Sequence, residues 1–256
     1  MPGVVLLLPC LNEEEALHVL LGRLDTVSGQ LRPEWQLSVL VVDDGSSDRT
    51  AEIAETWPGP VSVSVVRHPV NQGLGAALQT GVDWFLKQEV DQEILAVMDA
   101  DATHPPELLA EMLDVLGGSR GEGPVDVVIA SRYAPGGEEH GLSLGRRVYS
   151  KLASTAMRIL GRVRGARDYS CGYRLYCRGI LKDATAKYAD GLITERAFTC
   201  MAELLIKLGR CGARVAEVPL KLHYEEKAGV SKMNVPVTIR RYLVLAWQVT
   251  FNRRWR

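Results

Sequence analysis

Short apolar runs alternate with amphipathic segments through the first half of the chain. Val4–Leu8, Leu37–Val42, Val61–Val66, Ile94–Met98 and Val125–Ile129 are brief, rich in β-branched residues and bounded by polar or turn-forming residues, as buried strands are. Between them Glu14–Leu24, Arg49–Thr56, Gly75–Phe85 and Pro106–Leu116 place apolar side chains at helical spacing, the last opening on a proline. Such alternation predicts an α/β chain with a mostly parallel central sheet flanked by helices, and ligands at the carboxyl ends of its strands. Gly117–Pro124 and Pro135–Leu144 read as loops, the second long enough to be a mobile lid. Beyond Gly145 the pattern turns largely helical, over Arg146–Leu160 and Leu192–Leu208, with a strand near Val215–Leu222. The last segment, within 234–256, is an apolar helix with Arg240 and Arg241 on one side, Arg253, Arg254 and Arg256 on the other, and Trp247 and Trp255 along it. It either docks on the preceding 1–233 domain or lies at a membrane interface.

Length and charge narrow the classes. With 256 residues, 46% of them hydrophobic, the chain can bury one sizeable core. Thirty Lys and Arg against 31 Asp and Glu give no net field that favours nucleic acid. The five cysteines are scattered without a C-x-x-C pair, which suits a reducing cytoplasm better than a disulfide frame or a zinc site. Val4–Leu8 lacks a basic leader and is too short for a signal peptide or a span.

Two acidic pairs carry the candidate chemistry. Asp99 and Asp101 follow the run Ile94–Met98 and, being two apart, share one side of the pleat. Hard oxygen donors of this kind suit Mg2+ or Mn2+, which bind through one or two carboxylates plus substrate phosphates; the alternative is that they cap the following loop or helix. Asp43 and Asp44 follow Val39–Val42 and lead into a turn, Gly45–Thr50, that meets a helix start. Carboxylates there can bond a ribose or base edge, or merely be turn residues with Ser47 or Asp48 as the cap.

Pro9-Cys10-Leu11-Asn12-Glu13, Val42-Asp43-Asp44-Gly45-Ser46, Asn71-Gln72-Gly73-Leu74-Gly75, Asp99-Ala100-Asp101-Ala102-Thr103-His104-Pro105-Pro106 and Asp168-Tyr169-Ser170-Cys171-Gly172-Tyr173-Arg174 occur in that order. Together they resemble the family-two glycosyltransferases of the GT-A fold, and within them the dolichol-phosphate mannose synthase-like enzymes. The resemblance implies a Rossmann-like GT-A domain over 1–233 that moves a sugar from a nucleotide diphosphate, GDP-mannose or a UDP-sugar, to a polyprenyl phosphate with inversion. It implies that Pro9, Leu11, Glu13, Asp43, Asp44, Gly73, Asp99, Ala100 and Asp101 line the donor site. Asp99 and Asp101 would hold Mg2+ or Mn2+, and Thr103 stands where relatives use a glutamine as a further ligand. Arg132 and Arg146 or Arg147 fall where the family places arginines on the acceptor phosphate, and Asp168 and Lys232 would also border that side. A cytoplasmic enzyme, or one peripheral at the inner face of the cytoplasmic membrane, follows from a lipid acceptor.

Several features leave alternatives open. No Q-x-x-R-W segment is present, so one sugar per cycle is expected rather than processive synthesis. Where relatives carry a phosphate-binding arginine the chain reads His223-Tyr224-Glu225-Glu226-Lys227, so either Lys227 substitutes or the acceptor is a soluble small molecule, peptide or natural product. An alcohol acceptor would require a general base, for which Asp168 and Glu203 are the candidates, although Glu203 is read first as an ion-paired helix residue. His104 is read as structural, and Cys10 and Cys171 as small buried fillers. A nucleotidyltransferase would place a glycine-rich basic loop after the first strand, and Pro9–Glu15 has none; an inactive scaffold remains the non-enzymatic alternative.

Overall fold

The computed structural model describes residues 1–88, 91–119, 123–141, 144–223 and 235–251, and of residues 92, 144–150, 152, 153, 223, 235–237 and 239 the backbone alone. Its elements run β1 (Gly3–Cys10), α1 (Glu14–Leu31), β2 (Gln36–Asp43), α2 (Thr50–Glu55), β3 (Ser62–Arg67), α3 (Leu74–Lys87), β4 (Gln92–Val97), α4 (Leu108–Leu116), β5 (Val127–Ser131), β6 (Glu138–His140), α5 (Leu144–Gly161), β7 (Arg174–Cys177), α6 (Arg178–Tyr188), α7 (Cys200–Arg210), β8 (Val215–Pro219), β9 (Lys221–His223) and α8 (Val235–Phe251).

Seven strands form one sheet in the order β3-β2-β1-β4-β7-β5-β8. All neighbours are parallel except β7, which lies antiparallel between β4 and β5. β1 lies inside the sheet between β2 and β4, and its Val4–Leu8 are at most 1% exposed. Burial on both faces explains why these strands read as continuous apolar runs rather than alternating ones, and each such side chain contributes about 1.5–3 kcal/mol by leaving water. Side chains from β1 through α8 belong to a single core, which Tyr242, Leu245 and Val249 of α8 join.

Several expectations are corrected. The segment Pro135–Leu144 is not wholly loop: β6 pairs parallel with β9, Glu138 opposite Lys221. The helix expected over Leu192–Leu208 begins only at Cys200; Thr194 and Glu195 instead give their backbone N–H groups to the Glu203 carboxylate, which holds the stretch before α7 in an irregular conformation. Helix α4 starts at Leu108, two residues after Pro106. β7 and α6 carry no run long enough to announce them: β7 is four residues with an arginine at its head, a strand that packing between β4 and β5 creates.

Candidate active site

The carboxyl ends of β1, β2 and β4 lie side by side, and the loops leaving them are stitched together. Asn12 adopts a left-handed backbone, φ 52°. From there its side-chain oxygen accepts the Ser47 N–H at 2.8 Å, while its own N–H donates to the Ser46 hydroxyl at 2.9 Å. Glu13 N–H donates to the Thr50 hydroxyl at 2.8 Å and Glu14 N–H to Asp48 at 3.1 Å. Pro9 and Leu11 are half-buried on this rim, and Asp43 accepts the Ser46 N–H at 3.2 Å, tightening the turn after β2.

Asp44 is buried, and its carboxylate is spent on the protein. One oxygen accepts His68 Nδ1–H at 2.7 Å and Gln72 N–H at 2.9 Å; the other accepts Gly73 N–H at 2.8 Å. With Nδ1 as the donor, the opposite ring nitrogen accepts the Thr80 hydroxyl at 2.9 Å. The carboxylate at the end of β2 therefore sets the Asn71–Gly75 loop and the start of α3. Gly73, with φ 93°, and Gly75 lie against the 195–196 segment: a Cβ at either would strike the carbonyl oxygen of Arg196 or Glu195. The Arg196 guanidinium donates to the Gln72 carbonyl at 3.2 Å on the same loop. Residues 194–196 are thus a wall of the Asn71–Gly75 loop, unforeseen because nothing in a run of Thr, Glu and Arg marks contact with a glycine 120 residues away.

At the end of β4 the two aspartates differ. The Asp99 side chain is 36% exposed, whereas Asp101 is 9% exposed as a residue. Ala102 takes a left-handed conformation, φ 59°, which turns the chain so that Thr103 hydroxyl and N–H both donate to Asp101 Oδ1, at 2.6 and 3.2 Å. Such a conformation on a residue with a Cβ is sparsely populated and concentrates at functional sites. Asp99 lies against Gly172, where a Cβ would sit 2.7 Å from its Oδ1. Its N–H donates to His104 Nδ1 at 3.3 Å, and the other ring nitrogen faces Cys171 Sγ at 3.9 Å. Burial and then the Asp168 charge push the Cys171 thiol up to about 12, so it is an inert filler here. Ala100 is buried between the two acids.

Arg132 and Asp168 are brought together below the site. The guanidinium spans both carboxylate oxygens at 2.8 and 2.9 Å and also donates to Ser170 at 2.6 Å; its remaining nitrogen is 3.0 Å from Glu139. Desolvation would raise the Asp168 carboxyl, yet Arg132 and the Ser170 and Cys171 amides outweigh it and hold it at about 2. Arg132 is only 8% exposed and engaged on every side, so a direct grip on a phosphate would require this network to open. Glu203 is likewise engaged, with Thr194 and Lys207. Arg146 and Arg147 lie in the first turn of α5 with side chains outside the described residues, and Lys232 lies outside them altogether.

Among the described residues no three His, Cys, Asp or Glu side chains converge on one point. The hard-oxygen pair Asp99 and Asp101 fits a Mg2+ or Mn2+ ion that completes its shell from substrate oxygens.

The profile described as Glycosyl transferase family 2 matches residues 5–185. Polyprenol monophosphomannose synthase of Mycolicibacterium smegmatis is 34% identical over 232 residues, 90% of this chain and 80% of that protein. Undecaprenyl-phosphate mannosyltransferase of Micrococcus luteus is 34% identical over 90% of this chain and 87% of its own. Among solved structures, glucosyl-3-phosphoglycerate synthase of Mycobacterium tuberculosis, bound to Mn2+, UDP-glucose and phosphoglyceric acid, superposes with a TM-score of 0.65 at 20% identity, covering 97% of this chain and 79% of that one. The fold is shared with that structure.

Proposed function

The chain belongs to glycosyl transferase family 2 and is a glycosyltransferase, and we propose that it transfers one hexose, with inversion, from a nucleotide-diphosphate donor to a polyprenyl phosphate. The relatives from M. smegmatis and M. luteus carry polyprenyl-phosphate mannosyl transfer in their names, which favours mannose and GDP-mannose over a UDP-sugar.

The observation that carries the acceptor reading is the state of the two carboxylates considered as its base, Asp168 and Glu203. An alcohol acceptor needs a base near neutrality. Asp168 is ion-paired and held at about 2, and Glu203 is locked to Lys207 and the Thr194 hydroxyl. Asp168 is therefore unsuited to take a proton, and both oxygens of Glu203 are already engaged. A phosphate monoester is already ionised and needs no such group, so this architecture favours it over a soluble alcohol.

Donor binding falls to the rim formed by Pro9, Leu11, Glu13, Asp43 and the loop that Asp44 pins through Gly73. Asp101, aimed by Thr103, and Asp99, seated on Gly172, would hold the divalent cation with the diphosphate. A cation there supplies positive charge against the leaving nucleoside diphosphate. Arg132 then acts as a positioning residue that fixes the 168–172 segment behind Asp99, and Arg146 or Arg147, with Lys232, are the cations proposed for the acceptor phosphate. The test is a panel of nucleotide sugars assayed for nucleoside diphosphate release with Mn2+ or Mg2+, polyprenyl phosphate present or absent. Lipid-dependent release with GDP-mannose is expected; release indifferent to the lipid overturns the acceptor.

A further inference from the structure

Three hydrogen bonds converge on the Asp44 carboxylate, and one of them comes from outside the loop it holds. Oδ1 accepts Gln72 N–H at 2.9 Å and His68 Nδ1–H at 2.7 Å, and Oδ2 accepts Gly73 N–H at 2.8 Å. Loop and carboxylate by themselves would fix only each other. The imidazole supplies the outside reference. His68 leaves the end of β3 with its own N–H on the Asp43 carbonyl at 2.8 Å, and its Nε2 accepts the Thr80 hydroxyl of α3 at 2.9 Å. That bond leaves Nδ1 as the protonated nitrogen, the one that Asp44 requires. The His68 and Asp44 side chains are 8% and 6% exposed, so water hardly competes for this charge-assisted contact.

What the ring holds in place is the rim of the cleft. A Cβ at Gly45 would lie 2.6 Å from the Val70 carbonyl carbon, so the chain that follows His68 rests directly on the turn after β2. Further along, Gly73 and Gly75 abut the carbonyls of Arg196 and Glu195. Between those two close contacts, a rotation of the Asp44 carboxylate would carry the Gln72 and Gly73 amides with it. The ring therefore controls the shape of a loop that it does not itself line.

We infer that His68 is a positioning residue for the donor nucleotide: its Nδ1–H holds Asp44, and with it the Asn71–Gly75 loop, in the form that receives a nucleoside diphosphate. This rests on the reading of the rim as the donor site, and it is independent of which sugar or acceptor is used.

Two amide substitutions separate the ring's two bonds. In His68→Asn the amide nitrogen stands close to the place of Nδ1 and still donates to Asp44, while the Thr80 contact is lost. In His68→Gln it reaches the place of Nε2 and Thr80, and Asp44 keeps only the two loop amides. Affinity for GDP and for UDP, each with Mn2+, is titrated calorimetrically on the full chain without sugar or acceptor. For the nucleotide that wild type binds more tightly, His68→Gln is expected to raise Kd at least about tenfold and His68→Asn by no more than about twofold. Each variant loses one hydrogen bond, so their melting temperatures should agree within about 3 °C. Amide exchange at Gln72 and Gly73 should quicken in His68→Gln alone. Equal Kd values for the two variants, or a His68→Gln value unchanged from wild type, overturn the inference and leave the donor site standing. Failure of wild type to bind either nucleotide overturns the donor-site reading, and the inference with it.

Discussion

Arg132 and Asp168 form a fork-to-fork ion pair buried beneath the acidic rim, Nε to Oδ2 at 2.8 Å and Nη2 to Oδ1 at 2.9 Å, with the carboxylate wholly inaccessible. Removing one partner leaves a buried charge uncompensated, so Asp168→Ala is expected to cost about 3–5 kcal/mol in urea unfolding. Replacing both, as Arg132→Met with Asp168→Leu, should cost less than the sum of the single changes.

The same pair predicts an acid dependence. The Asp168 carboxyl is lowered from 3.8 to about 2 in the folded chain, so its contribution is complete above about pH 4 and is lost as pH falls toward 2, on the order of 2 kcal/mol. Unfolding free energies of wild type and Asp168→Asn, measured from pH 5 down to the lowest pH at which both fold, should converge as acid is added. A constant gap would contradict the pair as drawn.

Thr103 donates to Asp101 through both its hydroxyl and its N–H, and its proposed role is to orient that carboxylate. Its hydroxyl donates to Asp101 at 2.6 Å, a charge-assisted bond worth about 1.5–3 kcal/mol. Thr103→Val should therefore lower kcat/KM by about tenfold or more, raise the Mn2+ concentration for half-maximal rate, and be rescued by Thr103→Ser.

Gly75 lies against the Glu195 carbonyl with no room for a Cβ. Gly75→Ala should destabilise by about 1–3 kcal/mol and raise the donor KM more than it lowers kcat, read from thermal melts and steady-state rates. Glu195 is in turn tied to α8, its carboxylate accepting the Thr199 hydroxyl at 2.7 Å and facing Arg241 at 3.4 Å. Arg241→Met is expected to raise the donor KM through this wall while barely moving the melting temperature.

Legibility followed burial. The five apolar runs became β1 to β5; four of them are buried strands, which must be apolar throughout, whereas β3 is a half-buried edge strand that keeps its Val63, Val65 and Val66 among serines. The acids stood out because each pair interrupts such a run at its carboxyl end. β7 did not, since Arg174 at its head and four residues of length disguise a strand that exists only through its neighbours. Nor did the fate of the charges. Asp44 and Arg132 stood out in the sequence as candidates, but that Asp44 spends its oxygens on His68, Gln72 and Gly73, and Arg132 its nitrogens on Asp168, Ser170 and Glu139, depends on contacts across the fold. Helix α8 was half legible: its tryptophan and arginines were visible in the sequence, but not which face would be covered.

The central claim is that Asp101 serves sugar transfer by holding a divalent cation on the donor diphosphate. Its most direct test is the rate of mannose transfer from GDP-mannose to polyprenyl phosphate by wild type and Asp101→Asn, with Mn2+ and after chelation. A cation in that position supplies several kcal/mol, so chelation and the substitution should each lower the rate at least about a hundredfold, without further loss when combined. Undiminished, Mn2+-supported transfer by Asp101→Asn would contradict it.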